Sequence, residues 1–393
     1  MNSVVEPYYD PVVPSSSVPF APKSVDVSIT GKCNLKCAYC FYADEMQGLS
    51  DLPLERWESF FEECEQLGVQ RVTLSGGEAF CRPDLFRVID SVIDHKMRYS
   101  LLSNGTLITK KTIKSFEEGK RRLRLDSIQV SIDGSTALIH NKSRPPDSFD
   151  AAVNGLHLLM NHEFPVTVRV TINAHNVYDL ENIASFLLED IGINSFGTNE
   201  ADYFGTARCG AQRVLLSEKE RQYAMDTLLR LQKEYHGRIN AMAGPLSRAH
   251  MFADIKEALN QGKTGFSSRG TLCSCGGVFQ KISVLHDGTM VPCNMLPKLT
   301  MGVIGINPVS EVWLHHPSIN AVRQRRNIPL TALSTCADCP YTGFCTGGCP
   351  ATVLSKTGQL LARDPLTCYR IYTGEEIYEK TKNREKTACE TIC

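Results

Sequence analysis

Three cysteines in the run Gly31-Lys32-Cys33-Asn34-Leu35-Lys36-Cys37-Ala38-Tyr39-Cys40 constrain this chain more than anything else in it. Their spacing is C-x3-C-x2-C, directly after a strand-like stretch, Ser24 to Thr30. A [4Fe–4S] cluster normally takes four cysteine ligands, so three thiolates leave one iron open. An open position is what a metal site needs to act on a ligand rather than only staple the fold. The triplet alone also fits a zinc knuckle or three unrelated thiols, but no matching fourth ligand lies nearby.

At 393 residues the chain can bury one large core or two domains. A net charge of −1 implies no strong field toward nucleic acid or a membrane surface, and neither is expected as a partner. The basic runs Lys120–Arg124 and Arg323–Arg326 read as solvated faces. No apolar run is long enough to span a bilayer. Residues 1–23 are rich in Pro and Ser and lack the basic and apolar regions of a signal peptide, so they read as an extended arm. Sixteen cysteines in a chain of this size without a signal point to metal rather than disulfides, and to a reducing cytoplasm.

Strand-like segments, Val25–Thr30, Arg71–Leu74, Tyr99–Leu102, Ser127–Ile132, Val166–Ile172 and Ser195–Thr198, alternate with helical ones. The helical patterns are Pro53–Leu67, Pro83–Asp94, Lys110–Glu118, Phe149–Asn161, Tyr178–Leu188 and Ser217–Tyr235, with Asp51 and Ser217 as start signals. Such alternation predicts a parallel sheet, here an α/β partial (β/α)6 barrel of the TIM type over residues 24–264. Beyond about residue 265 cysteine, glycine and short turns take over. Gly262–Ser274 reads as the boundary to a small cysteine-rich module, 265–375, followed by a tail, 376–393.

Each predicted strand end carries polar or glycine residues. Ser75-Gly76-Gly77-Glu78, Ser103-Asn104-Gly105 and Ser131-Ile132-Asp133-Gly134 all fall where parallel βα architectures place their chemistry. With the cysteine triplet, the aromatic Tyr39 before its last member and the G-G-E, the chain resembles the radical S-adenosylmethionine (SAM) superfamily over roughly residues 24–200. One departure is Ala79, where that family commonly has proline. The resemblance implies a cluster on Cys33, Cys37 and Cys40, with SAM chelated at its open iron. It implies that Glu78 accepts from the SAM amine, with Gly76 and Gly77 allowing close backbone approach. Ser103, Asn104, Ser131 and Asp133 would bond ribose hydroxyls and Arg144 the carboxylate, with Ile172, Asn173 and Asn176 framing the adenine.

The remaining cysteines form the pattern Cys275, Gly288-x4-Cys293, Cys336-x2-Cys339-x5-Cys345-x3-Cys349 and Cys368. This resembles the SPASM extension of radical SAM enzymes that modify peptides. It implies one auxiliary [4Fe–4S] cluster on Cys293 and Cys349 with Cys273, Cys275 or both, and a second on Cys336, Cys339, Cys345 and Cys368. A zinc site on Cys336, Cys339, Cys345 and Cys349 would orphan Cys368. Cys64, Cys81, Cys389 and Cys393 read as plain thiols. Cys209 lies on the active-site side of the sixth strand, as a bystander or a hydrogen-atom donor.

The whole chain is most similar in look to the SynChlorMet-cassette maturases. That implies a peptide maturase acting on a ribosomally made precursor and installing an oxidative crosslink, with flavodoxin or ferredoxin as electron donor. Too few residues precede the first strand to bury a peptide-binding domain, so leader recognition is expected from a separate protein, from the barrel itself, or not at all. The competing readings are formylglycine formation on sulfatases, peptide epimerisation, and a non-catalytic iron–sulfur carrier. Formylglycine-forming enzymes have an aspartate after the G-x4-C cysteine; here it is Asn294, which takes no proton at neutral pH.

Overall fold

The computed structural model describes residues 18–46 and 50–375, so most of the N-terminal arm, the tail and Cys389 and Cys393 lie outside the described residues. Seven strands run parallel in sequence order: β1 (Ser24–Ser28), β2 (Arg71–Ser75), β3 (Arg98–Ser103), β4 (Leu125–Ser131), β5 (Val166–Ile172), β6 (Phe196–Glu200) and β7 (Ile239–Ala241). Parallel neighbours need a crossover, and helices supply it. Leu54–Gln66, Leu85–Asp94, Lys110–Glu117, Ser148–Asn161, Leu180–Ser185 and Glu218–Glu234 follow the first six strands. The first of these helices buries Leu54, Trp57, Phe60, Phe61 and Cys64, the three- and four-residue spacing of one helix face. β5 buries Val168, Val170, Thr171 and Ile172 at its C-terminal half, as a strand covered on both sides must.

The expected partial barrel is therefore present, with one more strand than the pattern suggested. β7 is three residues long, too short to show a period. The helix Pro245–Asn260 behind it was also illegible. Its buried face includes Arg248 beside Leu246, Ala249, Phe252 and Ile255, so no clean apolar stripe marks it. Ser217 caps Glu218–Glu234 through a reciprocal bond with Glu220, as its position implied.

The sheet does not stop near residue 265. β8 (Lys281–Val284) pairs parallel to the other edge of β1, and β9 (Thr289–Val291) and β10 (Gly302–Val303) continue antiparallel. The strand order is β10-β9-β8-β1-β2-β3-β4-β5-β6-β7, an open barrel with β1 inside it. Ile282, Val284, Met290 and Trp313 belong to the same apolar core as Val25 and Val72. Trp313 also donates its indole N–H to Pro19 O at 2.8 Å, seating the last described residues of the arm.

Two local expectations are overturned. Asp51 does not cap the first helix, whose N-cap is Pro53. It accepts instead from Thr30 Oγ1 at 2.6 Å and Gly31 N at 2.7 Å. The run Arg323–Arg326 is no solvated face either: Arg323 and Arg325 are both 0 % exposed. Arg323 is held by the carbonyls of Val278 and Trp313 and lies 4.3 Å from the Trp313 ring centre.

Candidate active site and cysteine groups

The cysteine loop leaves the C-terminal end of β1 and is clamped from several sides. Gly77 N donates to Thr30 O and Glu78 N to Lys32 O, both at 2.8 Å. A Cβ on Gly76 would stand 2.4 Å from Thr30 O, and one on Gly77 2.4 Å from Lys32 O. The two glycines thus let the end of β2 approach the chain's own cysteine loop, rather than opening space for a ligand. Ala38 N donates to Ser143 O at 2.8 Å, and Thr206 Oγ1 to Cys37 O at 3.0 Å. Buried Arg82 donates to Ile29 O and Leu52 O. Tyr42 and the buried His286 share a hydrogen bond at 2.9 Å, tying the loop to the β8–β9 turn.

Cys33, Cys37 and Cys40 line one cavity of about 920 Å³ with Lys32, Lys36, Asp51 and Thr206. Burial pushes the Cys33 thiol up to about 12 and Cys40 to about 11, and each feels its neighbouring thiols. Cys37 is also raised by burial, against the pull of Arg144. Leu35 N points at Cys33 Sγ from 3.4 Å. Three thiols on one cavity, with an amide donor aimed at the Cys33 sulfur, fit a cluster, and binding one would displace their protons.

The polar residues at the strand ends largely bond to one another. Glu78 is 2 % exposed. Its Oε1 accepts from Phe80 N at 3.2 Å and Ser103 Oγ at 2.9 Å, and its Oε2 from Asn104 N at 2.7 Å. Burial raises the carboxyl against these bonds. A carboxylate has about four acceptor sites, so one remains on Oε2. Asn104 donates from its amide to Asn34 and accepts from Thr106, joining β3 to the cysteine loop.

Asp133 is 1 % exposed, and its carboxylate accepts from Thr171 N at 2.7 Å, Arg144 Nε at 2.5 Å and the Tyr39 hydroxyl. It therefore braces Tyr39 and Arg144. Arg144 Nη1 lies 3.9 Å from Cys37 Sγ, so that guanidinium reaches the cysteine loop. Ser131 is half-buried at the last position of β4. Asn173 and Asn176 are fully buried with Ile172 and bond to Thr171 O and Asp133 O. They shape the turn after β5 and present no face to an adenine.

His140 holds this network from behind. Its Nδ1 accepts from Asp133 N at 3.1 Å, and burial lowers its pKa to about 4. A histidine depressed on folding stabilises the protein above its unfolded pKa, near 6.5, and that contribution is lost as pH falls toward 4. The expected loss between pH 7 and pH 5 is about 2 kcal/mol. His140→Asn keeps an acceptor but does not titrate there, so its urea midpoint should vary less with pH than the wild-type midpoint; parallel profiles would count against this assignment.

Eight of the other described cysteines fall into two sets by shared cavity and electrostatic neighbours. Cys293 lies among Cys349, Lys281 and Cys275. Cys273, Cys275 and Cys349 line a cavity of about 980 Å³ under the helix Pro245–Asn260. Cys345 lies among Cys336, Cys368 and Cys339, and all four line a second, smaller cavity. Backbone amides again point at sulfur: Cys275 N at Cys273, Met295 N at Cys293 and Gly347 N at Cys345, at 3.1–3.5 Å. Cys64 is buried and Cys81 half-buried beside Asn34. Cys209 is exposed at the end of the short helix Thr206–Cys209, and Thr206, not Cys209, lines the triplet cavity. Arg82 and His286 escaped sequence reading, and Asp51 was given another role, because each acts through a partner distant in sequence.

Residues 27–187 match the radical SAM superfamily, and residues 273–340 match the SPASM iron–sulfur cluster-binding domain. The chain belongs to the radical SAM enzymes that carry a SPASM domain, with [4Fe–4S] clusters and SAM as cofactors. It is 26 % identical to an AdoMet-dependent heme synthase of Methanosarcina barkeri over 89 % of this chain and 97 % of that one. It is 24 % identical to a PqqA peptide cyclase of Ruegeria pomeroyi, over 90 % and 88 % of the two chains. Among solved structures, SuiB of Streptococcus suis bound to its precursor peptide SuiA superposes with a TM-score of 0.65 at 16 % identity, covering 89 % of this chain and 76 % of that one. No described helix is long and apolar enough to cross a membrane.

Proposed function

We propose that this enzyme abstracts a hydrogen from a residue of a ribosomally made precursor peptide and installs an oxidative crosslink. When bound, the cluster and SAM supply a 5′-deoxyadenosyl radical. The chain's own residues orient and enclose that chemistry. Cys33, Cys37 and Cys40 hold three irons, and the remaining acceptor site of Glu78 takes the SAM ammonium. Asp133 and Tyr39 fix Arg144 at the edge of the cysteine loop. Ser131, Ser103 and Asn104 border the same strand ends.

The observation that carries the oxidative reading is the pair of four-thiol groups. A crosslink removes two hydrogens from the peptide. One leaves as a hydrogen atom to give 5′-deoxyadenosine. The other would leave as a proton and an electron, and clusters held by the two cysteine sets would, when bound, supply that electron with a way out toward an external acceptor. Flavodoxin or ferredoxin is the proposed electron partner, and a separate leader-binding protein the proposed recognition partner. A peptide substrate is supported by the alignment with PqqA peptide cyclase along most of both chains.

The heme synthase alignment favours a second reading, a tetrapyrrole substrate. Formylglycine formation remains disfavoured by Asn294, an amide where that chemistry uses a carboxylate. The reduced enzyme, SAM and the small peptide encoded beside it are incubated, and the peptide is followed by mass spectrometry. The expected product lacks two hydrogens and resists fragmentation between two side chains. An unchanged peptide together with turnover of an iron porphyrin would move the assignment to the second reading.

A further inference from the structure

Arg325 is 0 % exposed, and its charge has no carboxylate partner among the described residues. Its Nε donates to Cys273 O at 2.8 Å. Both terminal nitrogens, Nη1 and Nη2, are buried with no hydrogen-bond acceptor. Its acidic neighbours are the thiols of Cys273 and Cys349. A guanidinium does not deprotonate in a protein, and an unpaired buried charge is strongly unfavourable. The neighbouring Arg323 is better served: two backbone carbonyls and Asn320 accept from it and the Trp313 ring lies 4.3 Å away, leaving only its Nη2 buried without an acceptor. Arg325 has one carbonyl and two orphaned donors, and its charge is felt by Cys273 and Cys349, which line one cavity with Cys275.

We propose that Arg325 is the buried counter-cation of an auxiliary cluster held by Cys273, Cys275, Cys293 and Cys349, and that it raises the reduction potential of that cluster. A cube held by four thiolates is anionic and gains one further negative charge on reduction. A fixed cation at its edge stabilises the reduced state more than the oxidised one, and hydrogen bonds to the thiolate sulfurs act in the same direction. Lys281, the other cation near Cys293 and Cys275, is already paired with Asp26 at 2.5 Å, so Arg325 supplies the larger uncompensated field. At the other group, Arg363 near Cys336 is half-buried and donates from Nε to Thr335 Oγ1 at 3.3 Å. The balance is a single electron: the cluster is reduced by one as product forms and is reoxidised by the external acceptor. Arg325 is thus a positioning residue for electron exit, and this role rests on the oxidative reading above.

The test is a potentiometric titration of the reconstituted full chain, followed by electron paramagnetic resonance without substrate. In Arg325→Met, two cluster signals should keep their midpoints while one shifts to lower potential. The expected shift is at least tenfold in the reduced-to-oxidised ratio, or about 59 mV for one electron. Cys349→Ala should remove the signal that shifts, and Arg325→Lys should restore part of the midpoint by keeping the charge. Three unchanged midpoints in Arg325→Met with full iron content would overturn the proposal. So would loss of the same cluster in both Met and Lys variants, which would reduce Arg325 to a brace for the Cys273 carbonyl. Because no peptide is present, these outcomes are independent of the crosslinking assay: an unmodified peptide with a shifted midpoint would sink only the peptide reading.

Discussion

Alanine replacement of Cys33, Cys37 and Cys40 together is expected to abolish 5′-deoxyadenosine production completely and to lower iron from about twelve to about eight per chain. The basis is that the triplet stands apart from both four-cysteine groups, each with its own cavity. The loop should keep its course without metal. Asp51, Arg82, Gly77 and Glu78 hold it through Thr30, Ile29 and Lys32, none of which the substitutions touch. Iron analysis, paramagnetic resonance and circular dichroism on the reconstituted variant would read this directly. Loss of all iron would mean that the triplet is a structural staple on which the rest of the fold depends.

The second large effect is at Glu78. Its removal leaves Phe80 N, Ser103 Oγ and Asn104 N without an acceptor inside the protein. Each buried unsatisfied donor costs roughly 1–3 kcal/mol, so Glu78→Ala should destabilise the fold by about 3 kcal/mol or more. Glu78→Gln keeps one oxygen and most of the shape but no charge. It should fold close to normally, retain its clusters and bind SAM about ten- to a hundredfold more weakly, the worth of a charge-assisted hydrogen bond. Calorimetry of SAM binding to the reconstituted Gln variant separates the two roles. Unchanged affinity would leave Glu78 as a brace between β2 and β3 and remove it from the ligand site.

That double role shows what was legible in the sequence. The cysteines and their spacing were, but their division into two sets came from the resemblance and not from locality: Cys349 lies four residues past Cys345 in sequence and among Cys275 and Cys293 in space. The first six strands were also legible, because apolar runs bounded by polar ends carry their own period. What each polar residue touches was not. Gly76, Gly77, Ser103, Asn104 and Asp133 were read as facing a ligand; each also has protein partners that spacing could not show, Thr30 and Lys32 for the glycines, Glu78 for Ser103 and Asn104, and Thr171, Arg144 and Tyr39 for Asp133. Asp51 looked like a helix cap because its neighbours in sequence are helical, but its partners are on β1. Arg323 and Arg325 looked solvated because charge runs usually are, and burial depends on contacts such as Val278, Trp313 and Cys273. β8 carried no sign that its partner would be the first strand of the chain.

The pairing of β1 with β8 has a consequence for biosynthesis. Asp26 and Lys281, joined across that pair, are 255 residues apart. At 5–20 residues per second, the ribosome needs on the order of ten seconds to a minute to deliver the second after the first. Through that interval β1 has β2 on one side and an unpaired edge on the other, and the cysteine loop lacks His286 against Tyr42 and Gly31. The nascent triplet is thus an open, oxidisable set of thiols until the carboxyl-terminal third arrives. A chain truncated before β8 would emerge with its cysteine loop lacking the His286 contact and with one edge of β1 unpaired.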